Sequence, residues 1–275
     1  MERIAIIEEG REEGRGEGLE DGREVSHLAV RYDPPPGLPA TGGGLCLLYL
    51  HGFGSDQWGE KAEFFRARAL DAGFAFCSLD FQGHGRSGGT MQDLTLSRNL
   101  ADVARVHAWL RERGALGEGR RVGLIGSSMG GGTALWYAAL HPGEIAAGLH
   151  IAPALDLERS LLAWAGPERT RAWQETGAIH FTNEFVSCEL SWELIEDLRR
   201  HPLEKLLASY RTPTLLLQGK KDDSVPWKSV ADFAVRVAYE EVELHLFADG
   251  DHRLTDRKDR LWDLMLEFLC GRGLA

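Results

Sequence analysis

The most informative segment of the chain is residues 122–132, VGLIGSSMGGG. Its first four residues are an apolar run that predicts a buried strand, and a helical pattern follows over 129–140. Between them lies G-x-S-x-G with Ser128 at its centre. A serine on such a sharp strand-to-helix turn projects its hydroxyl from the sheet edge, and the flanking glycines avoid steric clashes. Ser128 is therefore the predicted nucleophile, since apolar side chains would occupy both glycine positions if Ser127 were central.

On both sides of this segment, short apolar runs alternate with longer segments of helical period. Runs that are buried on both faces and separated by crossover helices predict an α/β fold, with a mostly parallel sheet and helices on both faces. The predicted strands are 28–32, 45–50, 74–79, 122–125, 145–151, 214–218 and 242–247. The predicted helices are 61–71, 99–113, 129–140, 228–238 and 256–269.

One segment interrupts this alternation. Residues 153–212 contain several helical stretches and no convincing core strand, and they are rich in Trp, Leu and charge. We interpret them as an inserted, mainly helical cap over the substrate site, with an inert surface insertion as the alternative. The whole chain, 1–275, is then one domain, in which the Gly/Glu/Arg-rich run 8–24 is a hairpin tip or a loose arm.

Composition and charge exclude several classes of protein. The 275 residues are 43% hydrophobic and 27% charged, which is typical of a folded globular protein. The net charge of -11 disfavours nucleic acid and anionic membranes as partners. No apolar stretch is long enough to span a membrane, and four scattered cysteines predict neither a disulfide framework nor a structural metal site. We expect a soluble, cytoplasmic protein; oligomeric state is not predicted.

A serine nucleophile needs a base to accept its proton and an acid to orient that base. After the strand 214–218 come Asp222 and Asp223, and after the strand 242–247 comes His252. Both positions are strand ends, where sites form in open α/β sheets. We predict His252 as the base and favour Asp222 as the acid, because it fits a G-x-x-D-x-x-V-P frame, with Asp223 as the alternative.

Acyl transfer also requires donors for the oxyanion of the tetrahedral intermediate. We predict the backbone amides of Met129, directly after the nucleophile, and of Phe53, in the loop after the strand 45–50. His51 is expected to hold that loop by hydrogen bonds. The glycine-rich loop 80–89 lacks the nucleotide-binding motifs and is expected to have a structural role.

Together these motifs resemble the α/β-hydrolase superfamily over roughly residues 28–270. They are His51-Gly-Phe-Gly54, the loop 80–88, Gly126 to Gly130, and Asp222 with His252. Within this superfamily, the segments Lys221 to Trp227 and Asp251-His-Arg253 resemble those of the branch that contains the mitochondrial depalmitoylase and acyl-glucuronide esterase. More loosely, they resemble those of monoacylglycerol lipases and feruloyl esterases. The resemblance implies an eight-stranded, mostly parallel sheet, a Ser128/Asp222/His252 triad, an oxyanion hole of the Phe53 and Met129 amides, and no cofactor.

These observations favour a serine esterase or thioesterase that forms an acyl-enzyme on Ser128 and acts on a small-molecule acyl ester or thioester. Two alternatives remain open: a non-catalytic binding protein with this fold, and a C–C bond hydrolase or peptidase with the same triad. The candidates for an apolar acyl-binding wall, each equally explicable as ordinary packing, are Leu161, Leu162, Trp164, Phe181 and Trp227.

Overall fold

The structure is a computed structural model that describes residues 3–8, 27–35, 44–116, 121–183 and 186–275. For 3–8 it describes the backbone alone. Apart from Glu8, the Gly/Glu/Arg-rich run that we interpreted as a hairpin tip or arm lies outside the described residues.

Within these ranges the chain forms ten strands. They are β1 (Arg3–Glu8), β2 (His27–Asp33), β3 (Cys46–Leu50), β4 (Ala75–Leu79), β5 (Val122–Ser127), β6 (Ile145–Ile151), β7 (Ala178–Thr182), β8 (Ser187–Ser191), β9 (Thr214–Gly219) and β10 (Val242–Phe247).

Eight strands form one sheet in the order β1-β2-β4-β3-β5-β6-β9-β10. Strand β2 runs antiparallel to β1 and β4, and every other neighbouring pair is parallel. Strands β3, β4, β5, β6 and β9 are buried along their whole length, which is why they are continuous apolar runs rather than alternating ones. The predicted mostly parallel, eight-stranded sheet is confirmed.

Helices cover both faces of this sheet, as predicted. They are α1 (Glu60–Asp71), α2 (Leu96–Glu112), α3 (Met129–Leu140), α4 (Leu157–Thr176), α5 (Glu193–Arg200), α6 (Leu203–Ser209), α7 (Trp227–Arg236) and α8 (Lys258–Cys270).

Two apolar cores result, one on each face. Phe65 of α1 and Trp262 of α8 belong to one core, and Val103 of α2 and Leu135 of α3 belong to the other. Helix α2 begins three residues earlier than predicted, because the side chain of Thr95 accepts a hydrogen bond from the Arg98 amide and caps its first turn.

The segment between β6 and β9 contains α4, α5 and α6, and also a hairpin of β7 and β8 that the sequence did not predict. The hairpin forms a separate two-stranded sheet, so no strand of this segment joins the central sheet within the described residues. Its strands have only five residues each, which is too short for periodicity to reveal them clearly. Helix α4 is broken at Gly166, whose φ of 72° is left-handed and which precedes Pro167.

Candidate active site

Ser128 occupies the turn between β5 and α3 in a backbone conformation that residues other than glycine rarely adopt. Its φ is 54°, and its amide donates to Ile151 O over 2.9 Å. The flanking glycines are required by close backbone approaches. A Cβ on Gly130 would lie 2.2 Å from Leu50 O, and one on Gly126 would lie 2.6 Å from Gly130 O. The steric reasoning for G-x-S-x-G therefore applies to this turn, which exposes the Ser128 hydroxyl at the carboxyl edge of the sheet.

The structure brings His252 and Asp222 to this serine. His252 Nε2 lies 3.2 Å from Ser128 Oγ, and His252 Nδ1 lies 2.8 Å from Asp222 Oδ2. Asp222 follows β9 and His252 follows β10, and these parallel neighbours end at the same edge as β5. The geometry is that of a hydroxyl, an imidazole and a carboxylate joined in series.

The Asp222 carboxylate is held by groups on both of its oxygens. Oδ1 accepts from the amides of Ser224, over 2.9 Å, and Val225, over 2.7 Å, while Oδ2 accepts from Gln218 Nε2 over 2.9 Å as well as from His252. Burial acts to raise the pKa of Asp222, but the bond and charge of His252, with the Val225 and Gln218 bonds, hold it below its ordinary value. The carboxylate is thus ionised and fixed in orientation.

The two candidate acids differ clearly in position. Asp222 is buried against His252, whereas Asp223 is exposed and accepts a hydrogen bond from Ser224 Oγ over 3.1 Å. Gln218, which orients Asp222, was not singled out by sequence reasoning. A polar residue inside an otherwise apolar strand was the available signal, because a buried amide requires partners.

The loop after β3 lies against Ser128. A Cβ on Gly52 would be 3.3 Å from Ser128 Cβ, so glycine allows the backbone before Phe53 to approach the serine. In the part of the chain that the structure describes, the amides of Phe53 and Met129 have no protein acceptor. Met129 directly follows Ser128 in the chain, and the approach of Gly52 brings the loop of Phe53 to the same serine, as two candidate oxyanion donors require.

His51 holds this loop in place. Its Nδ1 donates to Gly52 O over 2.8 Å, and its Nε2 accepts from the Phe81 amide over 3.1 Å. Burial lowers the pKa of His51 to about 4, so the ring is neutral at pH 7 and can accept at Nε2. The ring links the loops that follow β3 and β4.

The glycine-rich loop 80–89 encloses the side-chain carboxylate of its own Asp80 and is not arranged around a bound phosphate. Asp80 Oδ1 accepts from the Gln57 amide over 2.7 Å, and Oδ2 accepts from the Arg86 amide over 2.9 Å. A Cβ on Gly85 would lie 2.3 Å from this carboxylate. The expected structural role is consistent with these contacts. Among the described residues, no group of three or more His, Cys, Asp or Glu side chains is arranged to hold a metal ion.

Ser128 and His252 open into a cavity of about 700 Å³. The segment between β6 and β9 contributes Leu161, Trp164 and Phe181 to its wall, and the Phe181 ring lies 4.6 Å from that of Trp164. Among the other proposed wall residues, Leu162 and Trp227 are not part of the described lining.

Comparison with known proteins agrees with this fold. The sequence pattern described as alpha/beta hydrolase fold matches residues 46–179. The structure of alpha/beta hydrolase domain-containing protein 10 from mouse superposes with a TM-score of 0.73, at 22% identity, over 98% of this chain and 99% of that one. The chain has the α/β-hydrolase fold. The structure of Est1E from Butyrivibrio proteoclasticus with bound ferulic acid shares this hydrolase fold, with a TM-score of 0.75 at 19% identity over 89% of this chain and 96% of that one.

The sequence also resembles that of a named protein. The mitochondrial palmitoyl-protein thioesterase ABHD10 of Bos taurus is 25% identical over 216 residues, which cover 78% of this chain and 68% of the relative. The resemblance to the superfamily and to its depalmitoylase branch is confirmed.

The expected cytoplasmic location is wrong on this comparison. The bovine relative is named as a mitochondrial protein, and so is the human one at 26% identity. The expectation rested on the absence of a long apolar segment, which does not distinguish one aqueous compartment from another. Within the described ranges, no helix combines the length and apolar character that a membrane crossing requires.

Proposed function

We propose that this α/β hydrolase cleaves carboxylic esters or thioesters through an acyl-enzyme on Ser128. The observation that carries the proposal is the pair of hydrogen bonds in series, Ser128 Oγ to His252 Nε2 over 3.2 Å and His252 Nδ1 to Asp222 Oδ2 over 2.8 Å. The thioesterase name of the bovine relative is consistent with such a substrate.

The chemistry has two halves. His252 Nε2 takes the proton from Ser128 Oγ as the oxygen attacks the acyl carbon, and then returns it to the leaving alcohol or thiol. His252 next removes a proton from water, whose oxygen attacks the acyl carbon; the bond from that carbon to Ser128 Oγ then breaks, and His252 returns the proton to Oγ as the acid is released. Asp222 keeps Nδ1 protonated and stabilises the imidazolium in both halves.

The amides of Phe53 and Met129 bind the oxyanion of each tetrahedral intermediate. Both are unpaired within the described protein, so they need not exchange an existing intramolecular bond for the oxyanion. His51, which bonds to Gly52 O, keeps the Phe53 side of this hole in place.

The segment between β6 and β9 serves as the cap. Leu161, Trp164 and Phe181 place apolar surface in the cavity that contains Ser128, which suits an acyl group. The Phe181 ring also lies 5.3 Å from that of Phe53, so the cap packs on the oxyanion loop. A change of cap conformation would therefore alter both the acyl pocket and the oxyanion hole.

The test is hydrolysis of p-nitrophenyl esters from acetate to palmitate by the wild type and by Ser128→Ala. We expect turnover that falls by about 10⁴-fold or more in Ser128→Ala, because the nucleophile is lost. The chain-length optimum then measures the acyl pocket. Equal rates for the two proteins at every chain length would contradict the proposal.

A fluorophosphonate probe distinguishes the non-catalytic alternative. Covalent labelling requires an activated and accessible serine. We expect labelling of the wild type at Ser128 and none of Ser128→Ala. An unlabelled wild type would support the binding-protein hypothesis instead.

A further inference from the structure

Lys61 is a charged residue that lies beside the site and has no role in the proposed mechanism. It lies in the first turn of α1, and its Nζ donates to Ser127 Oγ over 3.1 Å. Ser127 is the last residue of β5 and is buried. Lys61 is not part of the described lining of the Ser128 cavity, so it contacts the nucleophile turn from outside the substrate pocket.

The loops that carry the proposed acid and base also act on Lys61. The carboxylates of Asp251 and Asp222 attract its ammonium group, and the guanidinium of Arg253 repels it. Asp251 and Arg253 flank His252 in the chain. One ammonium group is thus coupled to three segments, namely the turn of Ser128, the loop of Asp222 and the loop of His252.

On its own helix Lys61 is next to Glu60, which also attracts it and which accepts a hydrogen bond from Lys258 Nζ. Burial and, to a smaller extent, repulsion by Arg253 lower the pKa of Lys61, and the neighbouring carboxylates oppose both effects; the resulting pKa is about 8. Its charge is therefore present at pH 7 and is lost as the pH rises through about 8.

We propose that Lys61 is a positioning residue for hydrolysis: its ammonium group ties Ser127 to the loops that carry Asp222 and His252. The inference rests on the proposed function. Ser128 has a strained backbone, so its position depends on the neighbours that hold the turn. Loss of the ammonium leaves Asp222 and Asp251 without a cation that both loops share, which allows these loops to shift relative to the nucleophile.

Because Lys61 is outside the pocket, the inference predicts an effect on kcat rather than on KM. In Lys61→Met we expect kcat to fall about tenfold or more, since small misplacements of reacting groups are costly, with KM within about twofold of wild type. Lys228→Met is the matched control, because Lys228 is an exposed lysine on α7. Its kcat and KM are expected to equal those of the wild type.

The pH profile separates a role of the charge from simple packing. The wild-type kcat is expected to fall as the pH rises through about 8, where Lys61 loses its proton. Lys61→Arg keeps a positive charge throughout this range and is expected to retain most of the activity at pH 7 without that fall. Lys61→Met is expected to be low and without a step near pH 8.

The experiment measures kcat and KM on one p-nitrophenyl ester from pH 6 to 9.5, with Ser128→Ala as the background and thermal unfolding as the check on folding. Ser127→Ala provides a second variant that removes only the acceptor. It is expected to lower kcat less than Lys61→Met does and to add little in the double variant.

An unchanged kcat in Lys61→Met overturns the inference, as does a step near pH 8 that persists in Lys61→Arg. Equal losses in Lys61→Arg and Lys61→Met with no wild-type step also overturn it, since Lys61 would then only fill space. If the wild type has no Ser128-dependent turnover, the proposed function fails as well. If it turns over normally but is indifferent to Lys61, this inference alone fails.

Discussion

Asp80 and Asp222 are two buried carboxylates that follow core strands and that each accept two backbone hydrogen bonds. They differ in how those bonds are distributed. In Asp80 each oxygen takes one amide, so both oxygens serve the loop. In Asp222 both amides bind Oδ1, which leaves Oδ2 for the side chains of Gln218 and His252. The role of a buried carboxylate therefore depends on which of its oxygens the backbone amides leave available.

The largest expected effect is on the Asp222 side of this comparison. In Asp222→Asn the amide oxygen can still accept from Ser224 and Val225, so the NH₂ group faces His252 Nδ1. Nδ1 must then accept instead of donate, which places the proton on Nε2, where it cannot take one from Ser128. We expect kcat per folded molecule to fall by about 10⁴-fold. The free energy of unfolding is expected to fall as well, by about 2 kcal/mol, because the new NH₂ group also faces the buried donor Gln218 Nε2. Steady-state kinetics with thermal unfolding measures both.

Asp223→Asn is the control for that experiment. Asp223 is exposed and does not bond to His252, so the loss of activity in Asp223→Asn is expected to be far smaller than in Asp222→Asn. If Asp223→Asn lost as much activity as Asp222→Asn, the assignment of the acid to Asp222 would be wrong.

Asp80→Asn is expected to affect stability instead. Its NH₂ group would face either the Gln57 or the Arg86 amide, which is a donor against a donor in a buried site. We expect the free energy of unfolding to fall by about 2 kcal/mol, with kcat per folded molecule nearly unchanged. Urea denaturation and active-site titration with a fluorophosphonate provide the two numbers. A loss of kcat comparable to that of Asp222→Asn would abolish the distinction between the two carboxylates.

The effect that is smallest at neutral pH concerns His51, which joins the loops that follow β3 and β4. The folded-state pKa of His51 is lowered by burial to about 4, below the ordinary value of 6.5, so the unfolded chain binds its proton first. Stability from this group is complete above pH 6.5 and is lost as the pH falls towards 4, by up to about 1.4 kcal/mol per pH unit. Urea denaturation at pH 7, 6 and 5 measures this slope.

His51→Gln keeps hydrogen-bonding capacity without a titrating ring. We expect it to be less stable than the wild type at pH 7 but to show a shallower dependence on pH. An unchanged slope in this variant would assign the pH dependence to other groups.

Local patterns in the sequence predicted much of this molecule. The predicted strands and helices of the central sheet agree with the observed boundaries to within a few residues. Ser128, Asp222 and His252 were correctly located after the ends of strands. These positions could be predicted because hydrophobic periodicity and the steric requirements of a strand-to-helix turn depend on only a few neighbouring residues. The amides that bind Asp222 come from residues two and three positions further on, so that turn too is local.

The hairpin of β7 and β8, the cage around Asp80 and the bond from Lys61 to Ser127 were not predicted. The Gln57 amide that binds Asp80 lies 23 residues away, and Ser127 lies 66 residues from Lys61. No local pattern encodes such contacts. The compartment was predicted wrongly, because the lack of a long apolar segment does not identify the aqueous compartment.

Local sequence patterns were sufficient for the α/β alternation, the strand-to-helix turn at Ser128 and the loops from which an acid and a base could come. The complete fold was needed to bring His252 within hydrogen-bond distance of both Ser128, 124 residues away, and Asp222, 30 residues away. The order of β5, β6, β9 and β10 in the sheet sets which strand ends lie side by side. That order results from the packing of whole helices on the sheet rather than from the residues of any one loop.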